Sequence, residues 1–244
     1  PSADKLVIVP HGWLDKGEKS WPNKMADAVA ARVEPNEWVC AAYDWKGGSV
    51  VFTSVQAAEY ARDIAGLRLA AAVLKLDKPF KHIHLVAHSA GSWAIHAAAK
   101  RIAEVRPDTS FHLTFFDAYV PDKWDPNELG HIFADEQKQT NQYWADHYYT
   151  KDITWKVTEY DLKFAHNVDI SGIDPLIKEH EFPYRWYKAT ITGAYDRWDE
   201  KNETVVVRFG DIDYGFARAH ESGTENWTQS RKLELHNTAV KIFK

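Results

Sequence analysis

One stretch constrains the rest of the chain: His82–Ile102, HIHLVAHSAGSWAIHAAAKRI. Its first part, Ile83–Ala87, is an apolar run of strand length, and its last part, from Ser92 on, is rich in alanine and reads as a helix. The joint is Ala87-His88-Ser89-Ala90-Gly91. A strand that turns straight into a helix has no room for a bulky side chain two residues either side of the apex. Ala87 and Gly91 meet that requirement, so the joint follows the logic of G-x-S-x-G with alanine in place of the first glycine.

The flanking sequence supplies more units of the same kind. Leu6–Val9 is a short apolar strand that runs into Pro10-His11-Gly12-Trp13, and Ser20 to about Val33 reads as a helix with Met25, Ala28, Val29 and Val33 on one stripe. Trp38–Tyr43 is a second strand, ending at Asp44-Trp45 before a Gly47-Gly48 turn signal. Ser54–Leu76 reads as a long amphipathic helix with Ala57, Tyr60, Ala61, Ile64, Leu67, Ala71 and Leu74 inward. Phe111–Phe116 is a strand ending at Asp117. Strand and helix alternating at this spacing imply an α/β fold with a mostly parallel central sheet flanked by helices. Beyond Asp117 the expectations are a surface loop over Pro121–Gln142, strands at Tyr143–Tyr149 and Thr154–Tyr160, and a helix from Pro183 to Ile191. A strand follows at Thr204–Phe209, and Arg231–Phe243 is strand-like. No repeat or linker divides the chain, so residues 1–244 are expected to form one domain, and that length is enough to bury a full core.

Open parallel sheets bind ligands at the carboxyl ends of their strands. His11-Gly12-Trp13, Asp44, Ser89 and Asp117 each fall just past a strand, so four polar positions converge on one edge. A serine hydroxyl there becomes a nucleophile when a histidine takes its proton and a carboxylate holds that histidine in the right tautomer. Backbone N–H groups must then hold the oxyanion. Ala90, after the serine, supplies one, and Trp13, after the first strand, supplies the other. Spacing leaves Asp117, Asp146, Asp161 and Asp169 open as the acid. Among the twelve histidines it leaves His131, His147, His166, His180, His220 and His236 open as the base, with His180 drawing attention because IKEHEF precedes an aromatic helix. His11, Gly12, Trp45, His88, Trp93 and Tyr119 are the candidate substrate contacts.

Composition excludes several other classes. The net charge is −5 with no basic block, so nucleic acid is not an expected partner. No apolar run approaches the roughly 18 residues that span a bilayer. The single cysteine, Cys40, rules out an internal disulfide framework, which fits a cytosolic or a bacterial exported protein better than a cystine-stapled secreted one. His82 and His84 form an isolated H-x-H, too sparse for a metal site, and neither a metal nor any other cofactor is expected.

HGWLDKGEKSW, YDWKGGS, the helix after it and HLVAHSAGSW come in an order and spacing that resemble the pancreatic lipase family. The resemblance is detailed over Leu6–Ile102, looser to about Tyr187, and does not extend over Thr192–Lys244. It implies an α/β-hydrolase fold and a serine carboxylic-ester hydrolase acting on a lipid or other small ester. Its nucleophile would be Ser89, its acid Asp117 in Phe116-Asp117-Ala118-Tyr119, its base His180 in HEFPYRWY, and its oxyanion donors Trp13 and Ala90. Phospholipase or acyltransferase chemistry would use the same residues, and a ligand-binding protein on this scaffold is the non-catalytic alternative. The chain departs from the family in three places. Only the seven residues Ile173–Glu179 stand where a long lid would precede the histidine, alanine follows the acid in place of proline, and Glu128 and Asp135 do not complete a calcium ligand set. No counterpart of the family's C-terminal lipid-binding β-sandwich is expected, and without a lid the site should be open.

Overall fold

A computed structural model describes residues 3–13, 21–45, 53–77, 79–151, 156–172, 179–192, 204–207, 215–216, 230–234 and 240–243. The parallel strands are β1 (Lys5–Pro10), β2 (Trp38–Tyr43), β3 (His82–His88), β4 (Ser110–Phe116), β5 (Tyr143–Tyr149), β6 (His166–Gly172) and β8 (Ser230–Glu234). They form one sheet in the order β2-β1-β3-β4-β5-β6-β8. β7 (Thr204–Val207) and β9 (Val240–Phe243) pair antiparallel in a separate ribbon. The central strands β3, β4 and β5 interleave apolar residues with polar ones such as His84, His112, Thr114, Asp146 and His147, all of them buried because helices cover both faces of the sheet.

Alternation along the strands sorts their side chains between two cores. Leu6, Ile8, Ile83, Leu85, Phe111, Leu113 and Phe115 pack against α2 (Ser54–Tyr60), α3 (Gly66–Leu74) and α4 (Gly91–Val105). Val7, Val9, Val86, Phe116, Tyr148 and Val168 pack on the opposite side against α1 (Trp21–Ala30) and α6 (Phe182–Thr192). This is an α/β-hydrolase fold: a parallel sheet between helical layers. Among the described residues no helix is long and apolar enough to cross a membrane.

The structure changes several sequence expectations. The Ser54–Leu76 helix is interrupted by a π-helical turn at Ala61–Ala65, which widens the winding and shifts the inward face. Ala57, Ala61, Ala65, Leu69, Ala70 and Val73 are buried, whereas Ile64 and Leu67, expected inward, are exposed. A small-residue seam explains the choice. A Cβ on Gly66 would come within 2.5 Å of the Ala94 carbonyl oxygen on α4, so the two helices touch backbone to backbone and exclude larger side chains.

The expected surface loop over Pro121–Gln142 contains a 3-10 turn at Pro126–Glu128 and the short helix α5 (Glu136–Asn141). It also buries Leu129, Ile132 and Phe133. Buried Gln139 accepts from the Ile132 and Phe133 N–H groups and donates to the Gly130 carbonyl, which supplies the backbone partners an irregular buried segment needs. Thr154–Tyr160 is not a strand where it is described: Lys156–Thr158 is a 3-10 turn. The slot beside β5 is taken by β6, which sequence reading missed because HNVDISG begins with polar residues. Asn167 is nonetheless buried, donating to the Leu162 and Ala165 carbonyls and accepting from the Leu162 N–H. Arg231–Phe243 resolves into two strands in different sheets. Ser20, Ile173–Lys178, His220 and His236 lie outside the described residues.

Candidate active site

Ser89 has φ +54°, a left-handed conformation that costs a non-glycine residue on the order of 1–3 kcal/mol. The surroundings over-determine it. The Ser89 N–H donates to the Phe116 carbonyl at 2.9 Å, and its own carbonyl accepts from Ser92 N–H at 3.1 Å and Tyr119 N–H at 3.3 Å. The turn is also pressed against the loop after β1: a Cβ on Gly91 would lie 2.5 Å from the His11 carbonyl oxygen. Gly91→Ala is therefore expected to destabilise the fold by about 1–3 kcal/mol despite alanine's helix preference. Thermal melting checks this, and an unchanged midpoint would contradict the close approach. Ala90 is the N-cap of α4, so its N–H belongs to the electropositive end of that helix.

Asp117 follows β4, has φ +40° and is fully buried. Its Oδ1 accepts from the Thr150 N–H at 2.8 Å, and its Oδ2 from the Thr150 hydroxyl at 3.3 Å and from His180 Nδ1–H at 3.2 Å. Burial pushes the Asp117 carboxyl up to about 6, partly offset by His180 and Thr150, which favour the ionised form. His180 sits in a 3-10 turn, Glu179–Glu181, just before α6, with its side chain 32% exposed. Sixty-three positions separate acid and histidine in the chain.

The other candidates have different partners. His147 accepts from the Ala118 N–H through Nε2 and donates through Nδ1–H to Asn167 Oδ1; burial lowers it to about 4, so it serves the Asp117 loop as a neutral ring. Asp146 joins His112, Thr114 and Tyr148 inside the sheet layer. Asp161 accepts from Tyr149, and Asp169 from Ser171. His131 stacks on Phe164, and His166 is buried in β6. Thr150 was not singled out from the sequence, although its place just past β5 on the same sheet edge is the signal that marked Asp117.

The loop after β1 lies against the serine turn. A Cβ on Gly12 would come 3.1 Å from the His88 carbonyl oxygen and 3.4 Å from Ser89 Cβ, so the Gly12 backbone lies against the serine turn. His11 fixes that loop: Nδ1–H donates to the Gly12 carbonyl at 2.9 Å, Nε2 accepts from the Trp45 N–H at 3.0 Å, and Trp45 Nε1–H donates to the His11 carbonyl at 2.7 Å. Their rings stack at 5.0 Å. His11 and Trp45, expected to touch substrate, thus hold each other. Trp93 is fully buried and donates to the Tyr119 carbonyl, so it offers no surface to a ligand. The Tyr119 hydroxyl accepts from Ser54. His88 turns toward His180.

Among the described residues, one group of His, Cys, Asp and Glu side chains brings three ligand atoms within 4.8 Å of one another: His88, Asp117 and His180. All three are already engaged in the hydrogen bonds of this site. His82 and His84 instead bond Ser110 and Thr114. Burial raises the half-buried Cys40 thiol to about 11, an inert core position. Chemically, the edge carries a strained serine, a carboxylate–imidazole pair and a helix N-terminus.

Comparison with known proteins points the same way over the N-terminal part. Residues 2–109 match the Lipase family model. Pancreatic triacylglycerol lipase of Mus musculus is 38% identical over 100 residues, covering 40% of this chain and 21% of that protein. Pancreatic lipase-related protein 2 of Sus scrofa is 32% identical over 105 residues, and inactive pancreatic lipase-related protein 1 of Mus musculus 32% over 103. The matched stretch spans 21% of the length of each of these relatives. The family-model match, residues 2–109, contains β1 through α4 with Ser89 and ends before Asp117 and His180.

Proposed function

We propose that this chain is a single-domain serine carboxylic-ester hydrolase acting on a lipid or other carboxylic ester. The hydrogen-bonded Asp117–His180 pair, on the sheet edge that holds the strained Ser89 turn, carries the reading. Ser89 Oγ attacks the ester carbonyl while His180 takes its proton, with Nδ1–H held on ionised Asp117. The oxyanion is received by the Trp13 and Ala90 N–H groups, and one such donor is worth about 2.7–4 kcal/mol in the transition state. His180 passes the proton to the departing alcohol. Water then repeats the sequence on the acyl-enzyme, and the acid is released.

The test is fluorophosphonate labelling of the wild type, followed by hydrolysis of esters from short and soluble to long and emulsified. Stoichiometric labelling with turnover supports the hydrolase, and the chain-length profile separates esterase from lipase. The rate is expected to rise smoothly with substrate; an abrupt jump at droplet formation would contradict an open site. One relative carries "inactive" in its name, which favours a non-catalytic protein on this scaffold as the second reading. Absence of labelling together with binding of the same esters would select it.

A further inference from the structure

The residue before the serine carries a device that the serine–histidine–acid scheme does not use. His88 is the last residue of β3, is 7% exposed, and its Nε2 lies 2.6 Å from the backbone carbonyl oxygen of His180. A carbonyl oxygen can only accept, so Nε2 must carry the hydrogen. The ring has little freedom to turn. Trp21 meets it edge-on at 6.1 Å, Tyr184 at 5.0 Å, and the His180 ring lies tilted against it at 4.4 Å. On the remaining side, Gly12 comes close enough that a Cβ there would sit 3.3 Å from His88 Nδ1. Burial and the neighbouring His180 both disfavour a charge on His88, which agrees with a neutral donor.

From this geometry we infer that His88 is a positioning residue: its Nε2–H holds the His180 backbone and thereby sets the base relative to the adjacent Ser89. The inference rests on the hydrolase reading above. Ser89 and His88 are consecutive, so one strand end fixes the nucleophile directly and the base through one hydrogen bond. The tether adds a backbone contact to the Asp117 bond at Nδ1, in the 3-10 turn that leads into α6. Misplacement of a base by about 1 Å costs on the order of 10²-fold in rate. A neutral His88 also leaves His180 as the histidine that accepts the serine proton.

The test compares wild type, Ser89→Ala, His88→Phe and His88→Gln. Phenylalanine keeps the buried ring and removes the donor, while glutamine restores an N–H of similar reach. His88→Phe is expected to lower kcat by about 10- to 100-fold with KM within about twofold, and to slow fluorophosphonate labelling by the same factor. His88→Gln should regain most of that loss. Wild-type kcat in His88→Phe would overturn the inference, as would His88→Gln no better than His88→Phe when both melt like the wild type. ¹⁵N NMR of the His88 ring gives a readout independent of turnover. The neutral Nε2–H tautomer is expected from pH 5 to 8, and a ring that titrates in that range or carries its hydrogen on Nδ1 would overturn the tether. An unlabelled, inactive wild type with that tautomer present would instead refute the hydrolase reading and leave the hydrogen bond standing.

Discussion

Ser89→Ala is expected to lower kcat for ester hydrolysis by as much as about 10⁶-fold, the scale on which a triad serine acts. The loss should fall on kcat and not on KM, because in the proposed mechanism the group removed is the oxygen that forms the acyl-enzyme. Fluorophosphonate labelling should vanish. The fold should survive, since the turn is held by backbone bonds from Ser89 N–H to Phe116 and from Tyr119 and Ser92 to the Ser89 carbonyl. Melting should confirm this, and the small residue does not relieve the left-handed φ, so a large gain in stability is not expected. Residual hydrolysis within tenfold of the wild type would remove Ser89 from the mechanism. That outcome would also leave the strained φ at this position without a functional account.

Asp117→Asn is expected to lower kcat by about 10⁴-fold, because an amide cannot hold His180 in the tautomer that leaves its other nitrogen free to accept. The pH dependence gives a second readout. In the wild type kcat/KM should fall as pH drops through about 6, where the buried carboxyl takes up its proton and ceases to stabilise the imidazolium. The variant should lack a limb from this group. Stability should move the other way. The folded-state value of about 6 lies above the ordinary 3.8, so folding binds the proton more tightly than the unfolded chain does. Ionised Asp117 therefore weakens the fold fully above about pH 6, and this penalty disappears below the ordinary carboxylate value. Asp117→Asn should melt above the wild type at pH 8, with the difference shrinking toward pH 4. A variant that melts lower at pH 8 would show that the Thr150 and His180 hydrogen bonds outweigh the burial of the charge.

Both effects come from groups whose identity was partly legible in the sequence. The serine turn could be read because its constraint is local: Ala87 and Gly91 must be small for a strand to become a helix at once. Asp117 could be placed at the sheet edge because Phe111–Phe116, FHLTFF, reads as a strand and ends there. Histidine choice was not local. His131, His147, His166 and His180 are alike by spacing, and the sheet order is what separates them: β5 beside β4 carries His147 to the Ala118 N–H, while α6 on the far face brings His180 to Asp117. Spacing left them open and the family resemblance named His180; its contact with Asp117, between distant segments, is the physical difference among them.

The same division accounts for the misreadings. Ile64 and Leu67 obey a 3.6-residue period, but the π turn at Ala61–Ala65 answers to the fit of Gly66 against Ala94, a contact with another helix. β6 hides its strand character because Asn167 and Asp169 are satisfied by partners such as the Leu162 carbonyl and the Ser171 hydroxyl, so polarity there does not mean exposure. Trp93 beside the serine is core because the Tyr119 carbonyl takes its indole N–H from inside.

The sequence by itself determined the parallel α/β plan, the turn that presents Ser89 and the edge where polar groups gather. These follow from steric and periodic rules that act over a few neighbouring residues. Tertiary structure supplied the contact that spacing left open, His180 on Asp117, and alone decided that Thr150 holds the carboxylate and that His88 faces the His180 backbone, because each is a contact between segments whose distance depends on the order in which the strands assemble.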